Sequence, residues 1–152
     1  MRQLIAAGAN VALRDPHHHA PPVGWALYNG HGAVADHLKT QALDIFSAAA
    51  LDMAERVAAM IDAEPDIVDQ TFGAFRGHGR PDPERDWLTP LGFAAEAGAA
   101  SVVELLLSRG ANPKLRSPSG ERLLDRVRRS DPSGRATALI AAAVRATGKA
   151  KA

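Results

Sequence analysis

A chain of 152 residues, 46% hydrophobic and 23% charged, with a formal net charge of +1, has room for one soluble globular domain with a core of its own. Cysteine is absent, which excludes a disulfide framework, a zinc–thiolate cluster and a cysteine nucleophile, and suits the reducing cytoplasm. The longest apolar run near the C-terminal end, "ALIAAAV", is far too short to cross a bilayer, so no membrane role is expected.

Taken in chain order, "RQLIAAGAN" gives a helical stretch at Leu4–Ala7 and a Gly-Ala-Asn exit. Gly8, Asn10 and Arg14 interrupt its apolar run, which argues against a secretion signal. Next comes "RDPHHHAPP", with His17, His18 and His19 at the tip of a projecting segment. "PPVGWALYNG" (21–30) starts a helix near Pro22 and turns at Gly30; "AVADHL" (33–38) is a second apolar stretch. "DIFSAAALDMAERVAAMIDAEPDIV" (44–68) is a looser copy of that pair, with Asp52 where the turn glycine belongs. Residues 70–88 are polar and rich in glycine and proline, which argues against a helix or a central strand. They hold Phe72, Phe75 and Trp87 beside Arg76, His78, Arg80 and Arg85. From Thr89 the pattern returns: Thr89 as N-cap, Pro90 in the first turn, a turn at Gly98, and a broad stripe of Val102, Val103, Leu105, Leu106 and Leu107. Gly110 and Pro113 end that helix, and a polar segment with Arg122, Arg126, Arg128, Arg129 and Arg135 follows.

The pattern is a repeat. "GAN" recurs after 102 residues and "PPVGWALYNG" lines up with "TPLGFAAEAG" after 68, both multiples of 34. "TPLGFAAEAGAASVVELLLSRGANP" (89–113) resembles the ankyrin repeat closely, with Gly92 where the family usually has histidine. The resemblance implies an all-α solenoid of stacked helix-turn-helix repeats with one long insertion. Its units would be a partial repeat at 1–13, repeats at 14–41, 42–69 (divergent) and 89–116, the insert at 70–88, a C-terminal cap at 117–147 and a tail at 148–152. A stack that starts in mid-repeat leaves one side of its first helix unprotected, so preceding residues or another surface are expected there.

The resemblance also implies a non-catalytic module that binds a protein partner, of unstated identity, through finger tips and first helices. The matching positions are Pro16, His17, His19, Tyr28 and Asn29 in one unit, and Arg85, Asp86, Glu96 and Ala97 in a later one. Phe75, Arg76, His78 and Arg80 of the insert join them as expected contacts, since aromatics and arginine anchor interfaces. For Trp25 and Phe93, at matching first-helix positions, core packing is the default. The insert's aromatics have a second reading, in which Phe72, Phe75 and Trp87 fold back as packing, Trp87 deepest, and the arginines stay at the surface.

Other functions find less support. Consecutive histidines on an extended tip point to alternate faces, and His31 and His37 are six apart, so no metal ligand set is expected. Nucleotide fingerprints, phosphate loops and nucleophile elbows are absent, so no cofactor, catalytic residue or enzyme is expected. Residues 36–69 carry a net charge of −6 and residues 109–152 one of +8. The basic end keeps an anion- or nucleic-acid-binding domain as the alternative, though no aromatic is interleaved there for base stacking. A metal-dependent enzyme at the histidines ranks third. Oligomeric state stays open.

Overall fold

A computed structural model describes residues 2–77 and 79–149. Among them are ten α-helices, one 3₁₀ turn and no strand, so the chain is all-α. The helices are α1 (Arg2–Ala6), α2 (Pro22–Tyr28), α3 (Gly32–Lys39), α4 (Ile45–Ala50), α5 (Ala54–Ala63), α6 (Phe72–Arg76), α7 (Pro90–Glu96), α8 (Ala100–Ser108), α9 (Leu123–Ser130) and α10 (Arg135–Lys149). The 3₁₀ turn is Pro65–Asp69, directly after α5.

Turn geometry explains the pairing of helices. Gly30 and Gly98, at φ 72° and 71°, reverse the chain between α2 and α3 and between α7 and α8. Asp52 takes the same left-handed conformation, at φ 54°, between α4 and α5. A side chain is strained there, and Asp is among the few that tolerate it. The Asp52 carboxylate also accepts the Val102 backbone N–H at 3.0 Å, in the first turn of α8. The substitution therefore exchanges backbone ease for a bond between neighbouring helix pairs.

Packing follows two rows. α4 lies against α7 and α7 against α9, while α5 lies against α8 and α8 against α10. Small residues permit the close approach, with Ala48, Ala49, Ala94 and Ala95 fully buried. The main core joins Phe46, Leu91, Val102, Val103 and Leu106 to Leu123, Val127 and Ile140 of the last two helices. Each such side chain contributes roughly 1.5–3 kcal/mol on burial. A Cβ at Gly92 would stand 2.8 Å from Leu88 Cδ2, so any side chain there requires Leu88 to move. Thr89 occupies the N-cap position of α7, but its hydroxyl makes no capping bond and is buried without a partner among the described residues. Asp44 instead caps α4, accepting the Ser47 N–H at 2.8 Å.

α2 and α3 form a separate, smaller cluster of Val23, Ala26, Ala35, Leu38 and Leu43, touched by Leu51 and Met53. α2 packs mainly on α3 and does not lie along α4 as α4 lies along α7.

Residues 70–88 are not the open loop that their composition predicts. Thr71 caps the short helix α6, accepting the Ala74 N–H. The segment's ends are tied together: Phe72 N–H donates to Leu88 carbonyl at 2.7 Å, and Gly73 N–H to Asp86 carbonyl at 2.9 Å. Gly73 stands close to the other end of the segment, since a Cβ there would lie 3.0 Å from Asp86 Cβ and 3.2 Å from the Asp86 carbonyl oxygen. Local capping and this closure outweigh the helix-breaking composition.

Candidate functional site

The segment before α2 is organised by one carboxylate. Asp15 accepts the backbone N–H groups of His17, His18 and Ala20 and the Trp25 indole N–H, all within 3.0 Å. Burial opposes its ionisation, but the bonds from His18, Ala20, Trp25 and His17 outweigh it and hold the carboxyl well below the usual range. Arg14 then ties this segment to α4. Its guanidinium donates to His19 carbonyl at 2.8 Å, to both Asp44 oxygens at 2.8 and 3.0 Å and to Ser47 Oγ at 2.9 Å, and it lies over the Phe72 ring.

The three histidines consequently differ. His17 and His18 are exposed. His19, expected at a contact surface, is buried: its backbone is left-handed at φ 53°, Nε2 lies 3.1 Å from Arg80 carbonyl, and the ring meets Phe72 edge-on. It docks the finger onto residues 70–88. Among the described residues no group of three His, Asp or Glu side chains is arranged to hold a metal.

The aromatics of residues 70–88 turn inward. Phe72 is 1% exposed, deeper than Trp87 at 8%, and sits with ring centroids 5.2 Å from Phe46 and 4.9 Å from Phe93. Phe75 lies at the rim of this cluster, 5.0 Å from Phe46 and partly exposed. The arginines do not all face solvent either. Arg76 is mostly buried and bonds Asp86 twice, at 2.7 and 2.6 Å, and this guanidinium holds the Asp86 carboxyl below its ordinary value. Arg80 is exposed. Arg85 is half-exposed, lies over the Phe93 ring at 4.9 Å and stands 3.9 Å from Glu96. Glu96 bonds Arg126, which also reaches Glu84 and faces the Trp87 ring. Asp86 and Glu96, expected as partner contacts, are thus held in internal pairs. His78 lies outside the described residues. Tyr28, 83% exposed, and Asn29 stand at the surface at the end of α2, Tyr28 edge-on to Trp25 and Asn29 Nδ2 donating to Trp25 carbonyl at 2.8 Å.

Between α2 and α4 the surface opens into a groove of about 560 Å³, continued by Phe93 and Arg85. Its walls follow from the residues that stand side by side on α2, α4 and α7. Trp25, Ser47 and Phe93 are equivalent positions, as are Tyr28, Ala50 and Glu96, by the offsets that align Gly30, Asp52 and Gly98. Two small residues on α4 therefore lie between large ones on α2 and α7. Trp25 is only half-buried and forms a wall of the groove, whereas Phe93 is buried in the core as the default predicts. Arg14, Asp15, Asp44 and Ser47, which set this geometry, escape a motif search. The pairing of small with large residues across the aligned repeats is the signal that finds the groove.

Four arginines of the basic C-terminal end are ion-paired, although residues 109–152 keep their net positive charge. Arg122 and Arg128 pair with Asp125, Arg129 with Glu121, and Arg126 with Glu96, Glu84 and Glu121. Arg129 is the main cause that lowers the Glu121 carboxyl below its usual value. Arg109 pairs with Asp62 across to the acidic stretch. No described helix is long and apolar enough to cross a membrane.

No curated protein matches the chain. The helix pair α7–α8, with the turns on either side of it, is another matter: residues 86–118 match the family model of the ankyrin repeat, and the chain carries an ankyrin repeat there.

Proposed function

We propose that the chain is a non-catalytic protein-interaction module whose helix pairs stack as a short ankyrin-type solenoid, with residues 70–88 inserted before α7. In this reading the partner meets the first-helix face around α2 and the finger that precedes it. The observation that carries it is the apolar groove between α2 and α4, bordered by exposed Tyr28 and Leu27. Ankyrin repeats mediate protein interactions as a class, and a concave apolar site with few polar groups is where ligands bind. Residues 70–88 brace that face rather than offering a second one, because their aromatics and Arg76 are engaged in internal contacts. The pairing of Arg122, Arg126, Arg128 and Arg129 with carboxylates weighs against the nucleic-acid alternative. The cysteine-free composition fits a role in the cytoplasm.

A photo-crosslinking residue at position 28, compared with one at exposed Glu104 on α8, tests this in native lysate. A discrete protein adduct from position 28 alone is expected. Adducts from position 104 alone, or from neither, would move the interaction elsewhere or remove it.

A further inference from the structure

The groove between α2 and α4 also carries information about what enters it; this inference rests on the interaction reading above. We propose that it takes a partner peptide through one bulky apolar side chain next to a carboxylate, the carboxylate being received by Arg85.

The groove is held open rather than being a gap in loose packing. Trp25 is kept against its own finger by the bond from its indole N–H to Asp15 at 3.0 Å, so the ring does not swing over Ser47 and Ala50. Phe93 on the far wall is fixed by Phe46 and Phe72 at 5.1 and 4.9 Å. A preformed apolar recess avoids the cost of ordering its walls when a ligand binds. At about 560 Å³ its volume lies in the range of sites that enclose a small ligand or an anchoring side chain with its neighbours.

The charge of the lining then selects among apolar ligands. Its charged members are Arg14 and Arg85, and no carboxylate is among the described residues that form it. Arg14 is already bonded to both oxygens of Asp44. Arg85 is the cation left for a ligand: its side chain is 42% exposed, and its contact with Glu96, at 3.9 Å, is loose. Stacked over Phe93, it holds its guanidinium beside the apolar floor. A carboxylate adjacent to the buried anchor reaches it, whereas a basic neighbour is repelled.

Panning a library of short random peptides against the full chain tests the proposal. Ala50→Phe fills the groove at a half-buried position, Tyr28→Ala strips its exposed border, and Arg85→Gln removes the cation. Recovered peptides should share an aromatic or large aliphatic residue beside Asp or Glu. They should lose about tenfold or more in affinity on Ala50→Phe and several-fold on Arg85→Gln. Unchanged melting temperatures confirm that these losses are local, and Tyr28→Ala gives the same ranking if Ala50→Phe fails to fold. Peptides that are basic, that bind Ala50→Phe as tightly as the parent, or that never emerge would overturn it. If the anionic dye 1-anilinonaphthalene-8-sulfonate saturates the groove and no peptide displaces it, the groove is a small-molecule site and the peptide assignment is wrong. A crosslinked partner at position 28 that ignores Ala50→Phe would leave the interaction reading standing while removing this one.

Discussion

Two copies of one repeat pattern, α2–α3 and α7–α8, meet different fates in this molecule. In α7 every residue from Pro90 to Ala95 is buried, with α4 on one side and α9 on the other. In α2 only Val23 and Ala26 are buried, and Leu27 and Tyr28 face outward. The pattern specifies a helix pair in both places; the neighbours decide whether its first helix becomes core or surface. Where the neighbour α4 presents Ser47 and Ala50, contact is replaced by a groove.

The largest expected effects sharpen this comparison. Phe72→Ala removes the ring that locks residues 70–88 onto α4 and α7 and should cost about 3–5 kcal/mol of stability in chemical denaturation. Phe75→Ala, at the partly exposed rim, should cost clearly less. Equal costs would mean that the segment is not held by Phe72. Leu106→Ala and Leu38→Ala both delete fully buried side chains, one from each cluster. Each should cost about 2–5 kcal/mol locally, but only Leu106→Ala should lower the stability of the whole domain. Leu38→Ala should loosen α2 and α3 first, read as fast amide exchange confined to them. Uniform loss in both variants would erase the distinction between the regions.

Smaller effects concern the ends and turns. Asp131 is buried and accepts hydrogen bonds from the backbone N–H groups and hydroxyls of Ser133, just before α10, and Thr137, in its first turn. Chiefly the Thr137 bond lowers its pKa to about 2. A carboxyl lowered by folding stabilises the fold fully above its unfolded value near 4, and loses that contribution as pH falls toward 2. Asp131→Ala should therefore cost about 0.5–2 kcal/mol at neutral pH, and the difference from the parent should shrink below about pH 4 and be smallest once the pH has fallen through 2. A difference constant with pH would deny the ionised cap. Asp52→Gly should have the smallest effect, since relief of the left-handed backbone offsets the lost bond to Val102; Asp52→Ala, which relieves nothing, should cost about 1–2 kcal/mol.

Much of the helical pairing was legible because glycine turns and apolar stripes recur at fixed offsets. Residues 89–113 announced themselves, and their helices lie where Pro90, the turn at Gly98 and the apolar stripe put them, although the Thr89 hydroxyl makes no capping bond. The site was less legible. His19 and Arg76 look like surface residues in sequence, yet their burial depends on Arg80 carbonyl and Asp86, which only the folded chain brings near. The helix α6 was hidden because composition cannot register the closure of residue 72 on residue 88. The groove depends on which residues fall opposite one another across repeats, a relation visible only after alignment.

In the proposed division of labour, partners meet the α2 face while residues 70–88 and the α7–α8 pair serve as scaffold. Amide hydrogen exchange on the chain, free and with the partner captured from position 28, tests it most directly. Added protection over Trp25–Asn29 and around Arg85, with α8 and α10 unchanged, is the predicted result. Protection concentrated on α8–α10, with α2 unaffected, would contradict it.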